Sequence, residues 1–319
     1  MTYLPHRLAA LAAATALVLS AAACSSSPAT TSSVTADGAA AFPAKVATAT
    51  GVVRVPSKPM RIISLSPTAT EMLYAIGAGS QVKAVDSDSD YPSDAPRTKL
   101  SGLDPNLEAI VAYKPDLVVI SNFSSNEDTL AKQLASFSVP VLYQPAPTGL
   151  SGVYSEIDQL GEATGHLAQA EKEDSTIRSQ IAGIVASVHK NASPVSYYYE
   201  LDQTYYSVTS STFVGSLLSL LGLKSIADTA SGAASSGGYP QLSSEYIVKA
   251  DPDYIILADT VCCQQNAGTV ASRPGWAGLT AVKDGHVIPL NDDIASRWGP
   301  RVVNLLRTVA SYLNKGSSG

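Results

Sequence analysis

The sequence predicts an α/β protein: two Rossmann-like lobes with parallel sheets, joined by a single long backbone helix, with a ligand cleft between the lobes. Three observations carry this. From Gly165 to Lys190 the chain holds no proline, and Leu167, Ile177, Ile181, Ile184 and Val188 fall at helical spacing. A helix of roughly 25 residues at about 1.5 Å each would run about 37 Å, the width of a lobe of ~100 residues, so it can act as a strut. The segments on its two sides are alike: Glu108-Ala-Ile-Val-Ala-Tyr-Lys-Pro-Asp-Leu-Val-Val-Ile before it and Glu245-Tyr-Ile-Val-Lys-Ala-Asp-Pro-Asp-Tyr-Ile-Ile-Leu after it. Each reads as a short helix stopped at the residue before a proline, a Pro-Asp turn, and a buried strand. Finally, strand-like runs alternate with helical ones in both halves, the pattern of parallel sheets covered by helices on both faces.

In chain order, Arg61 to Pro67 (Arg-Ile-Ile-Ser-Leu-Ser-Pro) is a strand ending at Ser66-Pro67, followed by the apolar helix Met72 to Ile76, which Gly77 and Gly79 close. Thr68 with Glu71 three residues on has capping-box spacing. Strand Val82 to Val85, a polar loop Asp86 to Pro92, helix Leu107 to Ala112, strand Leu117 to Ile120, helix Asp128 to Phe137, strand Val141 to Tyr143 and helix Gly152 to Thr164 complete the first half. The second half runs strand Val195 to Glu200, loop Leu201 to Thr212, helix Phe213 to Leu221, the Gly/Ser-rich Ser231 to Gly238, the Glu245 helix, strand Tyr254 to Leu257, a cysteine loop, strand His286 to Leu290 and helix Arg301 to Leu313. The expected lobes are 52–145 and 191–316, with connecting helices over 146–190 and the backbone helix at 166–190.

The net charge of -6 argues against nucleic acid, whose phosphates need a basic face. No apolar run after residue 24 approaches the ~20 residues of a membrane span. Residues 1–24 read as an export signal: His6 and Arg7, an apolar core Leu8 to Leu19, and Ala21-Ala22-Ala23-Cys24. This resembles a bacterial lipoprotein signal, which implies lipidation at Cys24 and anchoring on the outer face of the cytoplasmic membrane, although such signals more often carry leucine where Ala21 stands. The Ala/Ser/Thr-rich stretch over 25–51 then reads as a disordered tether. The remaining cysteines, Cys262 and Cys263, are adjacent, which leaves a vicinal disulfide, a redox-sensitive loop or two ordinary thiols open.

In open α/β sheets ligands sit beyond the carboxyl ends of the strands. That rule nominates Ser66, Pro67, Asp88, Tyr91, Asn122 and Phe123 in the first lobe, and Tyr205, Tyr206, Asp259 to Cys263 and Asp293 to Trp298 in the second. Gly-x-Ser-x-Gly, P-loop and Gly-x-Gly-x-x-Gly motifs are absent, so acyl transfer and nucleotide binding have no motif support. Were the chain an enzyme, Asp259, Cys262 and Cys263 would be the residues to suspect; the expectation is that it is not. Outside the signal only His166, His189 and His286 occur, too few for a bare transition-metal site. A chelated metal brings its own ligands and asks only for shape, aromatics and a few charges. Tyr205, Tyr206, Tyr239 and Trp298 could supply flat amphipathic surface, and Arg297 a bidentate donor, unless it pairs internally with Asp292 or Asp293.

Ser64-Leu65-Ser66-Pro67 with Thr70-Glu71, the Ser89-Asp90-Tyr91-Pro92 loop, Asn106-Leu107-Glu108 before Lys114-Pro115-Asp116-Leu117-Val118, and Asp293 to Arg297 before Pro300-Arg301 resemble the helical-backbone (class III) periplasmic binding proteins that serve ABC importers of iron-siderophores and cobalamin. The resemblance spans about Val53 to Leu313. It implies a ligand-binding protein without a cofactor of its own, whose partners are a metal chelate and an ABC permease. It also implies that Glu108 and Glu245 dock into permease arginines. Cobalamin binders of this family carry aromatics where this chain has Asp88 and Leu103, while Asp293 and Arg297 match and Tyr239 stands where a tryptophan is frequent. The expected cargo is therefore a ferric siderophore first, cobalamin next and haem third.

Overall fold

The computed structural model describes residues 41–121, 127–188 and 195–316. It opens with an antiparallel hairpin, β1 (Ala44–Thr48) against β2 (Gly51–Val55), in which Ala44 lies opposite Val55. Ala44, Val46 and Val55 are buried, so the alternation of small apolar and polar residues here is a half-buried strand. The tether expected over 25–51 is corrected by this: the chain is already ordered at Ala44, and residues 25–40 lie outside the described residues.

The first lobe follows as β3 (Ile62–Leu65), α1 (Pro67–Ala75), β4 (Val82–Asp86), β5 (Arg97–Leu100), α2 (Leu107–Val111), β6 (Leu117–Ser121), α3 (Glu127–Ser136) and β7 (Val141–Gln144). Its five strands are all parallel, in the order β5-β4-β3-β6-β7. Helices α4 (Leu150–Thr164) and α5 (Leu167–Ser187) lead to the second lobe. That lobe contains β8 (Val195–Glu200), α6 (Phe213–Leu220), β9 (Leu223–Ser225), α7 (Ser244–Ala250), β10 (Tyr254–Leu257), α8 (Ala267–Ala271), α9 (Thr280–Lys283), β11 (Val287–Pro289), α10 (Asp292–Ser296) and α11 (Val302–Gly316). Its sheet is parallel with the order β11-β10-β8-β9.

The two similar segments have one physical role. Each short helix ends where Lys114 (φ 52°) or Asp251 (φ 44°) turns left-handed ahead of its proline. The aspartate after the proline then ties its strand to the first strand of the same lobe. Asp116 accepts the backbone N–H groups of Met60 and Arg61 at 2.9 Å each, next to β3. Asp253 accepts from the N–H of Ser196 at 2.7 Å and from its hydroxyl at 2.6 Å, at the start of β8.

The strut is α5, 21 residues and therefore about 31 Å long. Gly165 caps α4 in the left-handed region (φ 77°) and turns the chain into it. A Cβ on Gly161 would lie 2.5 Å from the Ala170 Cβ, so glycine there lets α4 and α5 approach closely. Helix α5 packs on α4 on one side and on α11 on the other. A single apolar cluster holds Ile62, Met72 and Val119 of the first lobe together with Tyr197, Leu217 and Ile256 of the second. Lobes that share a core resist wide hinge opening.

Candidate ligand cleft

The carboxyl ends of the two sheets are joined by a buried ionic clasp. Ser66, directly after β3, caps α1: its Oγ accepts from the Ala69 N–H at 3.2 Å and from the Ser121 hydroxyl at 2.7 Å. With Pro67 at the first helical position, Glu71 falls on the buried side of α1. The Thr68–Glu71 capping box is thus corrected, since the cap is Ser66. Glu71 instead accepts from Arg297 at 3.0 Å and from Arg301 at 2.8 and 2.5 Å. Arg297 follows α10 in the second lobe, and it also donates to Asp90 at 2.9 Å and to the Asp88 carbonyl at 3.0 Å in the first, and pairs with Asp293 at 2.7 Å. Burial raises the Asp90 carboxyl, but the hydrogen bond and charge of Arg297 outweigh it and hold it below its ordinary value. The Arg301 guanidinium lies 4.2 Å from the Tyr91 ring centre.

Large apolar or aromatic side chains remain exposed on the loops beyond these strands. Tyr91 and Leu103 in the first lobe and Tyr206, Tyr239 and Val261 in the second are each 41–63% exposed. Within the second lobe, Asp292 receives the N–H groups of Val261 and Cys262 at 2.8 Å each, which fixes the loop after β10 to α10. Cys262 and Cys263 are joined as a vicinal disulfide. Among the described residues no group of three or more His, Cys, Asp or Glu could hold a metal ion.

Several expected ligand contacts sit elsewhere. Trp298 is buried, and its Nε1–H donates to Glu156 at 2.9 Å, so it belongs to the core beside α4 rather than to the cleft surface. Tyr205 stacks on Trp276 at 5.7 Å in the second-lobe core; only its neighbour Tyr206 faces solvent. Ser66 is fully engaged as a cap, leaving the half-buried Pro67 beside it. Both terminal nitrogens of the Arg297 guanidinium are engaged by protein acceptors, Glu71 and Asp90 on one and Asp88 and Asp293 on the other. Asp88 is exposed and Asp293 half-buried. Asn122, Phe123 and Cys24 lie outside the described residues. A surface pocket of about 500 Å³ is lined by Lys99 and Leu100 of β5 and by Ala109, Ala112 and Tyr113 in and after α2.

Of the buried carboxyls, Glu156 is pushed up to about 8 by burial, against the Trp298 hydrogen bond. Asp174 and Asp259 are pushed up to about 7, first by burial and then by Asp158 and Glu200 respectively. Asp259 is fully buried with both oxygens unpartnered. Glu200, at the end of β8, pairs bidentately with Arg273 at 2.5 and 2.6 Å. Glu108 and Glu245 are exposed and occupy equivalent places, two residues after the caps Asn106 and Ser243, which accept from Ala109 and Tyr246.

A parallel-stranded lobe on each side of one backbone helix, with apolar loops at the facing strand ends, defines a class III binding protein. The family model described as periplasmic binding protein matches residues 62–294, and this chain belongs to that family. The ABC transporter substrate-binding lipoprotein YvrC of Bacillus subtilis is 30% identical over 268 residues, covering 82% of each chain. The vitamin B12-binding protein of Pectobacterium carotovorum is 32% identical over 266 residues, 82% of this chain and 91% of that one. The crystal structure of the periplasmic vitamin B12 binding protein of Vibrio cholerae superposes with a TM-score of 0.68 at 25% identity, covering 83% of this chain and 100% of that one. The chain is a substrate-binding protein of an ABC transporter, a binding protein and not an enzyme.

Proposed function

We propose that this chain is a lipid-anchored extracytoplasmic receptor that captures a cobalt corrinoid of the vitamin B12 type and hands it to an ABC permease. The observation that carries this reading is that Tyr91, Leu103, Tyr206, Tyr239 and Val261, from loops of both lobes, keep large apolar or aromatic side chains exposed, Tyr91 of them against Arg301 of the clasp. Such a set suits a large chelate with broad apolar faces, because aromatic side chains gain most against extended flat surface. Relatives named as vitamin B12- or cobalamin-binding at 30–32% identity favour a corrinoid, which reverses the order of siderophore and cobalamin read from the sequence. A ferric siderophore is the second reading, favoured by Asp88 and Leu103 standing where corrinoid binders of the family carry aromatics. Anchoring rests on Cys24. Docking rests on Glu108 and Glu245, exposed carboxylates whose pairs with arginine would set register more than affinity.

Isothermal titration of the chain from residue 25 onward with cyanocobalamin, a ferric trihydroxamate siderophore and haemin tests the reading. Saturable one-site binding by cyanocobalamin alone is expected. Binding by the siderophore alone would replace the cargo, and haemin alone would do the same.

A further inference from the structure

The loop from Thr260 to Gln264, at the carboxyl end of β10, has an inverted build for an exposed loop. Several of its polar groups face the protein. The N–H groups of Val261 and Cys262 go to the Asp292 carboxylate, the Thr260 hydroxyl donates to the Leu290 carbonyl at 2.5 Å, and the Cys263 carbonyl accepts from Gln265 Nε2 at 3.2 Å. Gln264 sits at φ 57°, which turns the chain back toward α8. Beside the exposed Gln264 the loop presents an apolar strip to solvent: the Val261 side chain is 63% exposed and the disulfide beside it, through Cys262, is exposed too. Exposed valine and sulfur cost hydration that a serine or lysine there would not.

The position supplies the reason. Strand β10 lies between β8, whose loop carries Tyr206, and β11, whose following helix leads to Arg297 and the clasp. The ridge therefore stands at the same strand ends as the exposed tyrosines. Linking two adjacent cysteines closes a small ring through their shared peptide bond and removes the loop's rotational freedom. A surface fixed before binding loses little entropy when cargo lands on it. Disulfide sulfur is polarisable and weakly hydrated, a good match for a conjugated or apolar face.

We infer that the Val261-Cys262-Cys263 ridge, locked by its disulfide, is a cargo-contact surface that packs against an apolar face of the bound metal chelate. This rests on the corrinoid reading above. It gives the cysteine pair a role in recognition rather than in redox chemistry.

The test is shielding. Dithiothreitol reduces the disulfide by thiolate attack on one sulfur through a mixed disulfide; two electrons and two protons pass to give two protein thiols and the cyclic oxidised reagent. The full detergent-extracted chain is pulsed with dithiothreitol with and without saturating cyanocobalamin. New thiols are trapped with a maleimide and located by peptide mass mapping at Cys262 and Cys263. Reduction at least tenfold slower with cargo bound is expected, and the Cys262→Ser/Cys263→Ser variant should bind cyanocobalamin about tenfold more weakly with an unchanged circular dichroism spectrum. An unchanged reduction rate in protein shown to hold cobalamin overturns this inference and leaves the corrinoid reading standing. Failure of the native chain to bind cyanocobalamin overturns both.

Discussion

Replacing Glu71 with glutamine removes the one charge that both arginines of the clasp share. The carboxylate is 2% exposed, and the side chains of Arg297 and Arg301 are 10% and 18% exposed, so water cannot take its place. Breaking a buried pair by neutralising one partner costs about 3–5 kcal/mol, because a charge is left buried without compensation. Arg297 keeps Asp90 and Asp293, whereas among the described residues Glu71 is the carboxylate paired with Arg301. The loss should therefore fall near the lower end, about 3 kcal/mol. For a chain of this size each kcal/mol moves Tm by about 2–4 °C, so Glu71→Gln should melt roughly 6–12 °C below the native protein. Thermal unfolding followed by circular dichroism measures this directly, and Glu71→Gln combined with Arg301→Met should recover part of the loss. A Tm within 2 °C of native would show instead that the clasp is solvated and contributes little.

Charge reversal at both Glu108 and Glu245 should abolish cobalamin uptake by cells while leaving the purified protein's affinity unchanged; lost affinity would remove both from the docking face. Stability should fall as pH rises from about 5 to 8. Glu156, Asp174 and Asp259 have folded pKa values raised above their unfolded ones, so their contribution is complete below the unfolded values and is lost as pH climbs through about 7 to 8. Glu156→Gln should flatten that slope in urea titrations, and an unaltered slope would assign it elsewhere. A Cβ at Gly215 would lie 2.0 Å from the Thr209 carbonyl oxygen, so Gly215→Ala should cost about 1–3 kcal/mol by denaturant unfolding. Tyr206→Ala and Tyr239→Ala should each weaken cobalamin binding about tenfold, whereas Tyr205→Ala should lower Tm instead, because its ring packs on Trp276.

The architecture was legible because its signals are local. Tyr254–Leu257 is a continuous apolar run, Leu117–Ser121 is one up to its final serine, and the Pro-Asp pairs ahead of them repeat in sequence because they do the same work in both lobes. The hairpin at Ala44 was hidden by composition: alanine, threonine and valine resemble a tether until α4 covers one face. Short strands β5 and β9 and helices α8 to α10 carry too few residues for periodicity to speak. In the cleft, residue types were legible and their partners were not. Arg297 and Trp298 belonged to a recognisable motif, yet their engagement depends on Glu71, 226 residues away in sequence, and on Glu156, 142 away. The Ser66-Pro67 pair did hold the signal that would have moved the cap from Thr68 and released Glu71 for the clasp.

Everything above places cargo at the facing strand ends of the two lobes. Hydrogen exchange of the full chain with and without saturating cyanocobalamin tests it most directly. Protection is expected in the loops around Asp88–Tyr91, Tyr206, Tyr239 and Val261–Cys263, with α2 and α7 unchanged. Protection confined to the pocket beside Lys99 and Tyr113, or none in loops of both lobes, would contradict it.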